Sequence, residues 1–408
     1  MDQDNTNMQQ EPVKNLRGSG KKVGKFLVAV IIFAAGWLVG NGRISLNTAS
    51  DVAEQVALNA PANLSTDGLQ EIYDKLKANY DGDIDTEKLL DGLKKGAVAA
   101  VGDTYTEYLS PDETKEFNSD LNGTFEGIGA ELSKKDNFVV IVAPIKGAPA
   151  EKAGVQPQDI IVEIDGEPAA DITVSEAVKR IRGEKGTTVK LKLIRDGEAV
   201  DVSIVRDTID IPSVEWSIDG DIGTIIISRF GDDTVSLTQK AAKEFASKNI
   251  KKVILDLRGD PGGLLDAAVG VANVWLPEGT TILEEKRGGE TVKTFTAPNS
   301  PILEGVKTVV LINEGSASAS EIVAGALRDN KAATLMGEKS FGKGSVQQLL
   351  DLKNGGSLKV TIARWYTPAG KNIDKEGLEP DQKVERTVDD IKAGRDPQLD
   401  AAKSHLKG

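Results

Sequence analysis

Apolar side chains recur at helical spacing near residue 70, and further along the chain they alternate with polar ones. Residues 65–80 and 85–101 repeat apolar positions every three or four residues, which predicts two amphipathic helices. The apolar face of the first helix consists of Leu69, Ile72, Tyr73, Leu76 and Tyr80. We therefore expect a small helical region over residues 65–120.

Residues 121–208 have the short alternating pattern of β-strands. Apolar runs at 137–145 and 159–168 end in turn residues, and residues 187–207 read as a hairpin around an Asp-Gly turn. Residues 173–183 begin with Thr and end with Gly, which predicts one helix. The whole pattern predicts a β-sandwich of five or six strands with a helix at its edge.

Apolar strands alternate with helices over residues 209–385. This alternation predicts an α/β layered domain with buried strands. The predicted strands are 223–230, 251–259 and 307–315, and the predicted helices are 236–248, 263–275 and 320–330. The pattern of residues 346–366 predicts a β-hairpin. The last segment, 386–408, is a tail that contains a predicted helix at 396–406.

One long apolar run stands near the beginning of the chain. Residues 26–40 are apolar and follow three lysines. A helix of that length covers about 22 Å, against about 30 Å for the hydrocarbon core of a bilayer. The run is either a membrane anchor, which we favour because Gly-Asn-Gly at 40–42 is a weak cleavage site, or a removed signal peptide. Residues 1–25 are polar and have no hydrophobic period, which predicts a disordered tail. The lysines predict that this tail stays in the cytoplasm and that everything beyond a linker at 41–64 is exported.

The amino-acid composition excludes several classes of binding partner, metal site and catalytic nucleophile. The net charge is −13, from 50 basic and 63 acidic residues, which argues against nucleic acid as a partner. The chain has no cysteine, so disulfides, thiolate zinc sites and a cysteine nucleophile are excluded. Its one histidine, His405, excludes an HExxH zinc site and argues against a Ser-His-Asp triad. No metal or organic cofactor is expected.

Three serines stand at alternate positions before the predicted helix at 320–330. Ser316, Ser318 and Ser320 follow a strand and a glycine. Ser318 and Glu321 fit the S-x-x-E capping box, which gives Ser318 a structural role. A serine at a strand-to-helix turn also projects its hydroxyl where helix N–H groups can hold an oxyanion. The local pattern leaves nucleophile and cap equally open.

A lysine between glycines is the candidate base for such a serine. The stretch 337–348 nearly matches a phosphate loop, but Gly344 stands where that loop needs Ser or Thr, and a predicted hairpin follows where a helix is needed. An NTPase is therefore rejected. Lys343 reads either as a solvated loop lysine or, if half-buried, as a neutral amine that takes a serine proton.

A further glycine-rich turn follows the strand predicted at 251–259. Pro261, Gly262 and Gly263 make a tight connection before a helix. This connection is either purely structural or a source of exposed amides that donate to an oxyanion.

Taken together, these motifs resemble the carboxyl-terminal processing peptidases, also called tail-specific proteases. The shared motifs are GSASASEI, the lysine of FGKGSVQ, the DLRGDPGG turn, the RWYTPAGKNID stretch and the closing GLEPD and DPQL. The resemblance covers residues 65–406, and within it residues 121–208 resemble a PDZ domain inserted before the catalytic core. It implies a multidomain α/β protein with an N-terminal membrane segment, a small helical region, a PDZ-like β-sandwich and a layered serine-protease core.

The resemblance also implies roles for individual residues. Ser318 matches the nucleophile, Lys343 its general base, and Gln347 the residue that orients the lysine amine. The oxyanion hole is matched by the backbone N–H groups of Ala319 and of Gly262 or Gly263. The carboxylate-binding loop of the PDZ domain is matched by Phe125, Gly127, Ile128 and Gly129. One departure is Asp260, which stands where asparagine is common in the family.

The function we expect is that of a serine endopeptidase with a Ser-Lys dyad that recognises unfolded protein C-termini and cleaves near them. Its expected partners are protein or peptide substrates with free C-termini, the membrane, and a second copy of the chain in a homodimer. The catalytic part would lie outside the cytoplasm, anchored by residues 26–40 or released from them. The alternative is an inactive PDZ adaptor on a protease-like scaffold, against which the retained Ser318, Lys343 and Gln347 argue.

Overall fold

The computed structural model describes residues 66–408. The predicted tail at 1–25, the apolar segment at 26–40 and the linker at 41–64 lie outside the described residues. Over residues 66–408, no helix is both long enough and apolar enough to cross a membrane. The described chain divides into a short unit that ends at Ile84 and a second unit over Asp85–Gly408.

The short unit contains one helix. Helix α1 (Asp67–Asn79) lies where the helical spacing predicts it, and its first turn carries an acidic residue and its last turn Lys77. Charges placed in this way complement the helix dipole. The predicted bounds, 65–80, differ from the observed ones by two residues at one end and one at the other.

The second unit begins with two helices and a short strand. They are α2 (Thr86–Ala99), β1 (Glu107–Leu109) and α3 (Pro111–Asn122). Asp85 caps α2 by accepting hydrogen bonds from the backbone N–H groups of Glu87 and Lys88. Helix α3, which the sequence pattern did not predict, begins with a Ser110–Glu113 capping box and ends at Gly123, whose φ of 65° closes the helix.

The next region forms a small β domain. Its elements are β2 (Thr124–Gly127), β3 (Ala130–Lys135), β4 (Phe138–Pro144), α4 (Pro149–Lys152), β5 (Ile160–Ile164), β6 (Glu167–Pro168), α5 (Val174–Ile181), β7 (Thr188–Arg195), β8 (Glu198–Val205) and β9 (Asp207–Asp210). Strands β3, β4, β5, β7 and β8 follow one another in a single antiparallel sheet, with β6 attached to β5. Strand β2 pairs separately with β9, so the chain enters and leaves the domain on one two-stranded ladder.

The core of this domain forms under α5. Thr173 begins α5 with a capping box, and Ala177 and Ile181 are buried on the face that the helical spacing predicts. They join a cluster of apolar side chains from alternate strand positions, including Ile141, Ile161 and Leu191. The predicted helix and hairpin are confirmed. Because β3 has only one neighbour in the sheet, its other edge is unpaired within the described chain.

The third region is the layered core. Its elements are β10 (Val214–Asp219), β11 (Ile222–Ile227), α6 (Thr234–Ser247), β12 (Lys252–Asp256), α7 (Leu265–Ala272), β13 (Thr281–Arg287), β14 (Glu290–Thr296), β15 (Lys307–Ile312), α8 (Ala319–Asp329), β16 (Thr334–Gly337), β17 (Ser345–Asp351), β18 (Ser357–Tyr366), β19 (Gln382–Lys383), α9 (Val388–Lys392) and α10 (Pro397–Lys407). The main sheet has the order β10-β11-β12-β15-β16-β19 and is parallel from β11 onwards.

The main sheet is covered on both faces. Val253 and Leu255 of β12 face a cluster that contains Phe245 of α6 and side chains of α7 and α8. Ile254, one position along, faces Leu406 of α10 on the other side. Successive strand residues point to opposite faces, so covering both faces explains why these strands are apolar throughout. The predicted α/β layered domain is confirmed.

A second sheet completes the core and was not predicted as a sheet. Its order is β1-β18-β13-β14, and β17 also pairs with β18. The predicted hairpin at 346–366 is present as β17 and β18. Strands β13 and β14 were not predicted, and in β13 the charged residues 284–287 hide the apolar alternation. Helix α8 is buried continuously from Ala319 to Leu327, and residues of α8 and β13 belong to one apolar cluster.

The fit of Phe245 against β11 gives a test of this packing. A Cβ placed on Gly223 would lie 2.5 Å from the Phe245 ring, and Phe245 is fully buried. We expect Phe245→Ala to lower the free energy of unfolding by about 3–5 kcal/mol. Gly223→Ala should destabilise the wild-type protein strongly and the Phe245→Ala protein much less, because the clash is then removed.

Urea denaturation followed by tryptophan fluorescence measures these differences. Val292→Ala is the control, since Val292 is 57% exposed on β14. Equal destabilisation by Gly223→Ala in both backgrounds would contradict the packing described here.

Candidate active site

Three loops meet at the carboxyl end of the parallel sheet. They follow β12, β15 and β16, which are neighbours in the sheet. We call them the glycine turn (residues 257–264), the serine turn (residues 313–318) and the lysine loop (residues 338–344). Because parallel strands end on one edge, residues far apart in sequence come together there.

Ser318 occupies a strained backbone position. It is the N-cap residue of α8, and its φ of 54° and ψ of −111° lie outside the regions that a non-glycine residue prefers. Such conformations cost about 1–3 kcal/mol and persist only where the surroundings enforce them. The predicted position of Ser318 at the start of α8 is therefore confirmed, and its backbone conformation is more unusual than a cap requires.

The other two serines are used differently. Ser316 is fully buried, and its hydroxyl donates to the backbone carbonyl of Leu257 at 2.8 Å. Ser320 is also fully buried, and its hydroxyl donates to the backbone carbonyl of Asp260 at 3.0 Å. Both hydroxyls tie the serine turn to the glycine turn, so Ser318 is the serine of the three that lines the cavity beside these loops.

The cavity has a volume of about 440 Å³. It contains all six core residues that the family resemblance singles out: Ser318, Lys343, Gln347, Ala319, Gly262 and Gly263. Its remaining wall is mainly apolar and includes Phe117 and Leu121 of α3, Leu264, Ile322 and Trp365. An apolar cavity with a few polar groups is the usual form of a binding site.

Lys343 is half-buried on the wall of this cavity. Burial lowers the pKa of its amine, and the positive charge of Lys359 lowers it further, while Glu107 and Glu321 act in the opposite direction. Its Nζ lies 5.1 Å from the centre of the Tyr105 ring. The solvated-lysine interpretation is thereby disfavoured, because a solvated amine would keep its ordinary pKa.

The glycines around Lys343 are required by close packing. Gly342 has a φ of 92°, and a Cβ there would lie 2.8 Å from the Gly377 nitrogen. A Cβ on Gly344 would lie 2.5 Å from the Asp374 nitrogen. The loop continues into β17 and not into a helix, which excludes the arrangement of a phosphate loop.

Glu321 connects the serine turn to the lysine loop. Its carboxylate accepts hydrogen bonds from the Ser318 N–H at 2.8 Å, the Gly342 N–H at 2.7 Å and the Lys343 N–H at 3.0 Å. The Ser340 hydroxyl donates to it at 2.5 Å. Glu321 is fully buried; burial raises its pKa, and the four hydrogen bonds act against that rise. Sequence reasoning assigned Glu321 to the cap alone, since nothing in the sequence indicates its bonds to the lysine loop.

The glycine turn packs directly on the serine turn. A Cβ on Gly262 would lie 2.8 Å from the Ala319 nitrogen and 2.9 Å from the Ser318 Cβ, so only glycine fits. The Gly262 N–H donates to the Asp260 carboxylate at 2.7 Å. Among the hydrogen bonds of the described residues, none uses the N–H of Gly263 or that of Ala319. Of the two glycines considered for the oxyanion hole, Gly263 therefore has the available donor.

Gln347 lies on β17 and lines the cavity. Its side-chain Nε2 donates to the Ser345 hydroxyl at 2.8 Å and to the Thr361 hydroxyl at 3.3 Å. A hydrogen bond from Lys343 to Gln347 is not found among those of the described residues. Since the Nε2 of Gln347 donates to these hydroxyls, the side-chain oxygen of Gln347 is the atom that remains able to accept a hydrogen bond.

The loop between β2 and β3 carries the residues expected to bind a carboxylate. Gly129 has a φ of 70°, and a Cβ there would lie 2.4 Å from the Ala148 Cβ. The carbonyls of Ile128 and Gly129 accept backbone hydrogen bonds, whereas their N–H groups have no acceptor among the described residues. The ring of Phe125 lies 4.6 Å from the guanidinium carbon of Arg182. Over residues 66–408, no group of three acidic, histidine or cysteine side chains could hold a metal ion.

Comparison with known proteins identifies the family. A model of peptidase family S41 matches residues 221–384, and a PDZ-domain model matches residues 127–205. The carboxy-terminal processing protease CtpA of Bacillus subtilis (strain 168) is 40% identical over 352 residues, which cover 84% of this chain and 73% of that protein. The chain belongs to the carboxy-terminal processing proteases of family S41. It is a serine-type peptidase with a PDZ domain.

Two further matches agree with this family. A probable CtpA-like serine protease of Staphylococcus haemolyticus (strain JCSC1435) is 36% identical to the peptidase over 91% of this chain and 75% of that protein. The crystal structure of a putative S41 protease from Bacteroides fragilis has a TM-score of 0.54 at 17% identity and covers 80% of this chain and 92% of that one. At that identity the likeness concerns the fold alone.

The role of Glu321 is testable without an assay of activity. Glu321→Gln keeps the size of the side chain but leaves one acceptor oxygen for four donors. Each unsatisfied buried donor costs about 1–3 kcal/mol. We expect hydrogen exchange at the amides of Gly342 and Lys343 to accelerate about 10-fold or more.

The matched control is Glu314→Gln, since Glu314 is an exposed glutamate in the neighbouring serine turn. Unchanged exchange at Gly342 and Lys343 in the Glu321→Gln protein would show that this carboxylate does not hold the lysine loop.

Proposed function

We propose that the peptidase hydrolyses peptide bonds with a Ser318–Lys343 dyad. The observation that carries this proposal is that the two side chains line one cavity and that their backbones share the buried Glu321 carboxylate. Burial disfavours the ammonium form of Lys343, so its amine can take a proton at a pH where an ordinary lysine cannot.

The chemistry then follows the scheme of acyl transfer. The neutral Lys343 amine takes the hydroxyl proton of Ser318 as the Ser318 oxygen attacks the scissile carbonyl carbon. The oxyanion receives hydrogen bonds from the N–H groups of Ala319 and Gly263. The lysine ammonium returns its proton to the leaving amine, and water then cleaves the acyl-enzyme with Lys343 as base again.

Gln347 is assigned to orientation of the lysine. Its Nε2 is held by the hydroxyls of Ser345 and Thr361, and Thr361 in turn donates to Asp103 at 2.6 Å. These hydrogen bonds to residues of the second sheet fix the orientation of the Gln347 side-chain amide. The oxygen of the amide is the group that would accept a hydrogen bond from the Lys343 amine.

The PDZ domain is assigned to capture of substrate C-termini. Strand β3 has an unpaired edge beside α5, and the free N–H groups of Ile128 and Gly129 lie just before it. An extended peptide would add a strand to β3 and place its terminal carboxylate on those N–H groups. Gly127 and Phe125 lie on strand β2, directly before this loop.

Export is also part of the proposal. It rests on the apolar run at 26–40 behind three lysines, which would anchor the peptidase with its catalytic part outside the cytoplasm or be removed as a signal peptide. N-terminal sequencing of the mature protein separates the two: a start near Arg43 means that the run was removed, and an intact run means an anchor.

The dyad predicts which substitutions abolish cleavage. Ser318→Ala and Lys343→Ala should each lower kcat for an unfolded substrate by about 10³-fold or more, because each removes a group that the bond-making step requires. His405→Ala is the control, since His405 is exposed and close to the end of the chain. Full cleavage by the Lys343→Ala protein would contradict the Ser-Lys mechanism. Thermal melts of the variants and the wild type show whether a loss of cleavage is due to misfolding.

Activity should rise with pH as Lys343 loses its proton. The pKa of Lys343 is below its ordinary value, so the competent neutral amine forms at a lower pH than it would in water. The measurement is kcat/KM from about pH 6 to pH 10 with an unfolded protein substrate whose own charge does not change. A flat profile over that range would contradict a lysine base.

C-terminal recognition predicts a difference between free-acid and amidated peptides. A charge-assisted hydrogen bond contributes about 1.5–3 kcal/mol, so amidation should lower kcat/KM about 10- to 100-fold. Gly129→Ala should have a similar effect on the free acid, because the added Cβ collides with Ala148 and displaces the loop. Equal rates for the two peptides, at concentrations well below KM, would mean that the carboxylate is not bound.

A further inference from the structure

We propose that Asp260 is a positioning residue whose ionised carboxylate holds the glycine turn in the form that presents the Gly263 N–H to the oxyanion, and whose protonation loosens that turn. The proposal rests on the function proposed above, because it concerns the same oxyanion donors. It adds a second ionisation to the one assigned to Lys343.

Asp260 joins the glycine turn to the serine turn. The side chain is fully buried, and its Oδ1 accepts the Gly262 N–H at 2.7 Å. Its backbone carbonyl accepts the Ala317 N–H at 3.0 Å and the Ser320 hydroxyl at 3.0 Å. One residue thus fixes the position of the donor turn relative to the turn that carries the nucleophile.

The glycine turn needs such a restraint because of its backbone freedom. Gly262 and Gly263 have φ angles of 97° and 148°, which glycine reaches without strain and leaves as easily. The hydrogen bond to Asp260 occupies the Gly262 N–H. With that bond made, the adjacent peptide unit is oriented so that the Gly263 N–H is the free one.

The surroundings of the carboxyl make its charge sensitive to pH. The second oxygen of Asp260, Oδ2, is buried without a hydrogen-bond partner. Burial raises the pKa of Asp260 to about 7, while the Gly262 N–H and the charge of Arg229 act against the rise. The carboxyl therefore changes its charge near neutral pH, within the range where a peptidase is assayed.

Several other charged groups lie near the turn, and of these Arg229 acts on the Asp260 carboxyl through its charge, while its own Nε is buried without a hydrogen-bond partner. Arg229 donates to the backbone carbonyls of Asn122 and Ile211. Its Nη2 lies 3.8 Å from the Oδ1 of Asp233 at the start of α6. Glu321 on α8 is bound by its four donors. Further charged groups on elements that adjoin the glycine turn are Arg258, which pairs with Asp256 and Asp396, Lys343 on the lysine loop, Asp266 in the first turn of α7 and Glu314 in the serine turn. None of these replaces Asp260 as acceptor for the Gly262 N–H.

The sign of the effect follows from the charge. Above neutral pH, Asp260 is ionised and its hydrogen bond to Gly262 is charge-assisted and strong. As the pH falls through the pKa of Asp260, the bond becomes a weaker neutral one and the turn loosens. Because Lys343 gains its proton over the falling limb as well, log kcat/KM should fall with a slope of about one on the acid side and more steeply than that near the pKa of Asp260.

Two substitutions at one position test the proposal. Asp260→Asn keeps an oxygen acceptor for Gly262 but does not titrate, whereas Asp260→Ala removes the acceptor. We expect Asp260→Ala to lower kcat about 10- to 100-fold with KM changed less than about twofold, since the donors would be misplaced only for the transition state. Asp260→Asn should recover only part of that kcat at pH 8, because its neutral amide oxygen holds the Gly262 N–H as weakly as a protonated Asp260 would, and its acid limb should have a slope of about one.

A readout that does not depend on activity separates this proposal from the proposed function. In the Ser318→Ala protein, infrared difference spectra across pH 5 to 9 should contain the C=O stretching band of a carboxylic acid that disappears near pH 7. That band should be absent from Ser318→Ala/Asp260→Asn. An acid limb in Asp260→Asn as steep as in the wild type, or no titrating carboxyl near neutral pH, would overturn the proposal. Cleavage by Ser318→Ala would instead refute the dyad and leave the titration of Asp260 measurable.

Discussion

The buried carboxylate of Glu321 is the constraint on which the proposed catalytic centre depends. A buried charge is tolerated only when donors surround it, and here the donors come from two loops that follow different strands. Its hydrogen bonds to the Ser318 N–H and the Lys343 N–H fix the separation of two backbones that are 25 residues apart in sequence. They also hold Ser318 in a conformation that an isolated turn would leave.

The electrostatic state of Lys343 has a different origin. It is produced by the second sheet and the segment before it, since Tyr105 faces the amine and Lys359 on β18 adds a positive charge. Desolvation requires walls on several sides, and the two glycines that flank Lys343 in the lysine loop have no side chains with which to provide them. The main sheet therefore positions the lysine backbone, while the second sheet gives its side chain surroundings that lower the pKa of the amine.

Free backbone N–H groups at glycine turns recur at both proposed sites. At the glycine turn the N–H of Gly263 is open, and before β3 those of Ile128 and Gly129 are open. In each place, neighbouring atoms lie too close to admit a Cβ: Phe230 at Gly263 and Ala148 at Gly129. A turn built in this way can bring main-chain donors to an anion without a charged side chain, which suits a transient oxyanion and a substrate carboxylate alike.

Local sequence patterns were enough to predict the elements with a regular apolar period and the candidate residues whose type is chemically exclusive. The strands at 251–259 and 307–315 and the helix at 320–330 were predicted from pattern, and the absence of cysteine together with a single histidine left lysine as the candidate base for a serine. The second sheet was not predicted, and in β13 the charged residues 284–287 conceal the apolar alternation. Three properties of the site became visible only in the folded structure. The Glu321 carboxylate accepts hydrogen bonds from both loops, and the N–H of Gly263 is free whereas that of Gly262 is bonded. Lys343 is half-buried. These properties arise from contacts between segments that are distant in sequence, and burial and hydrogen-bond partners are set by such contacts, which local patterns do not encode.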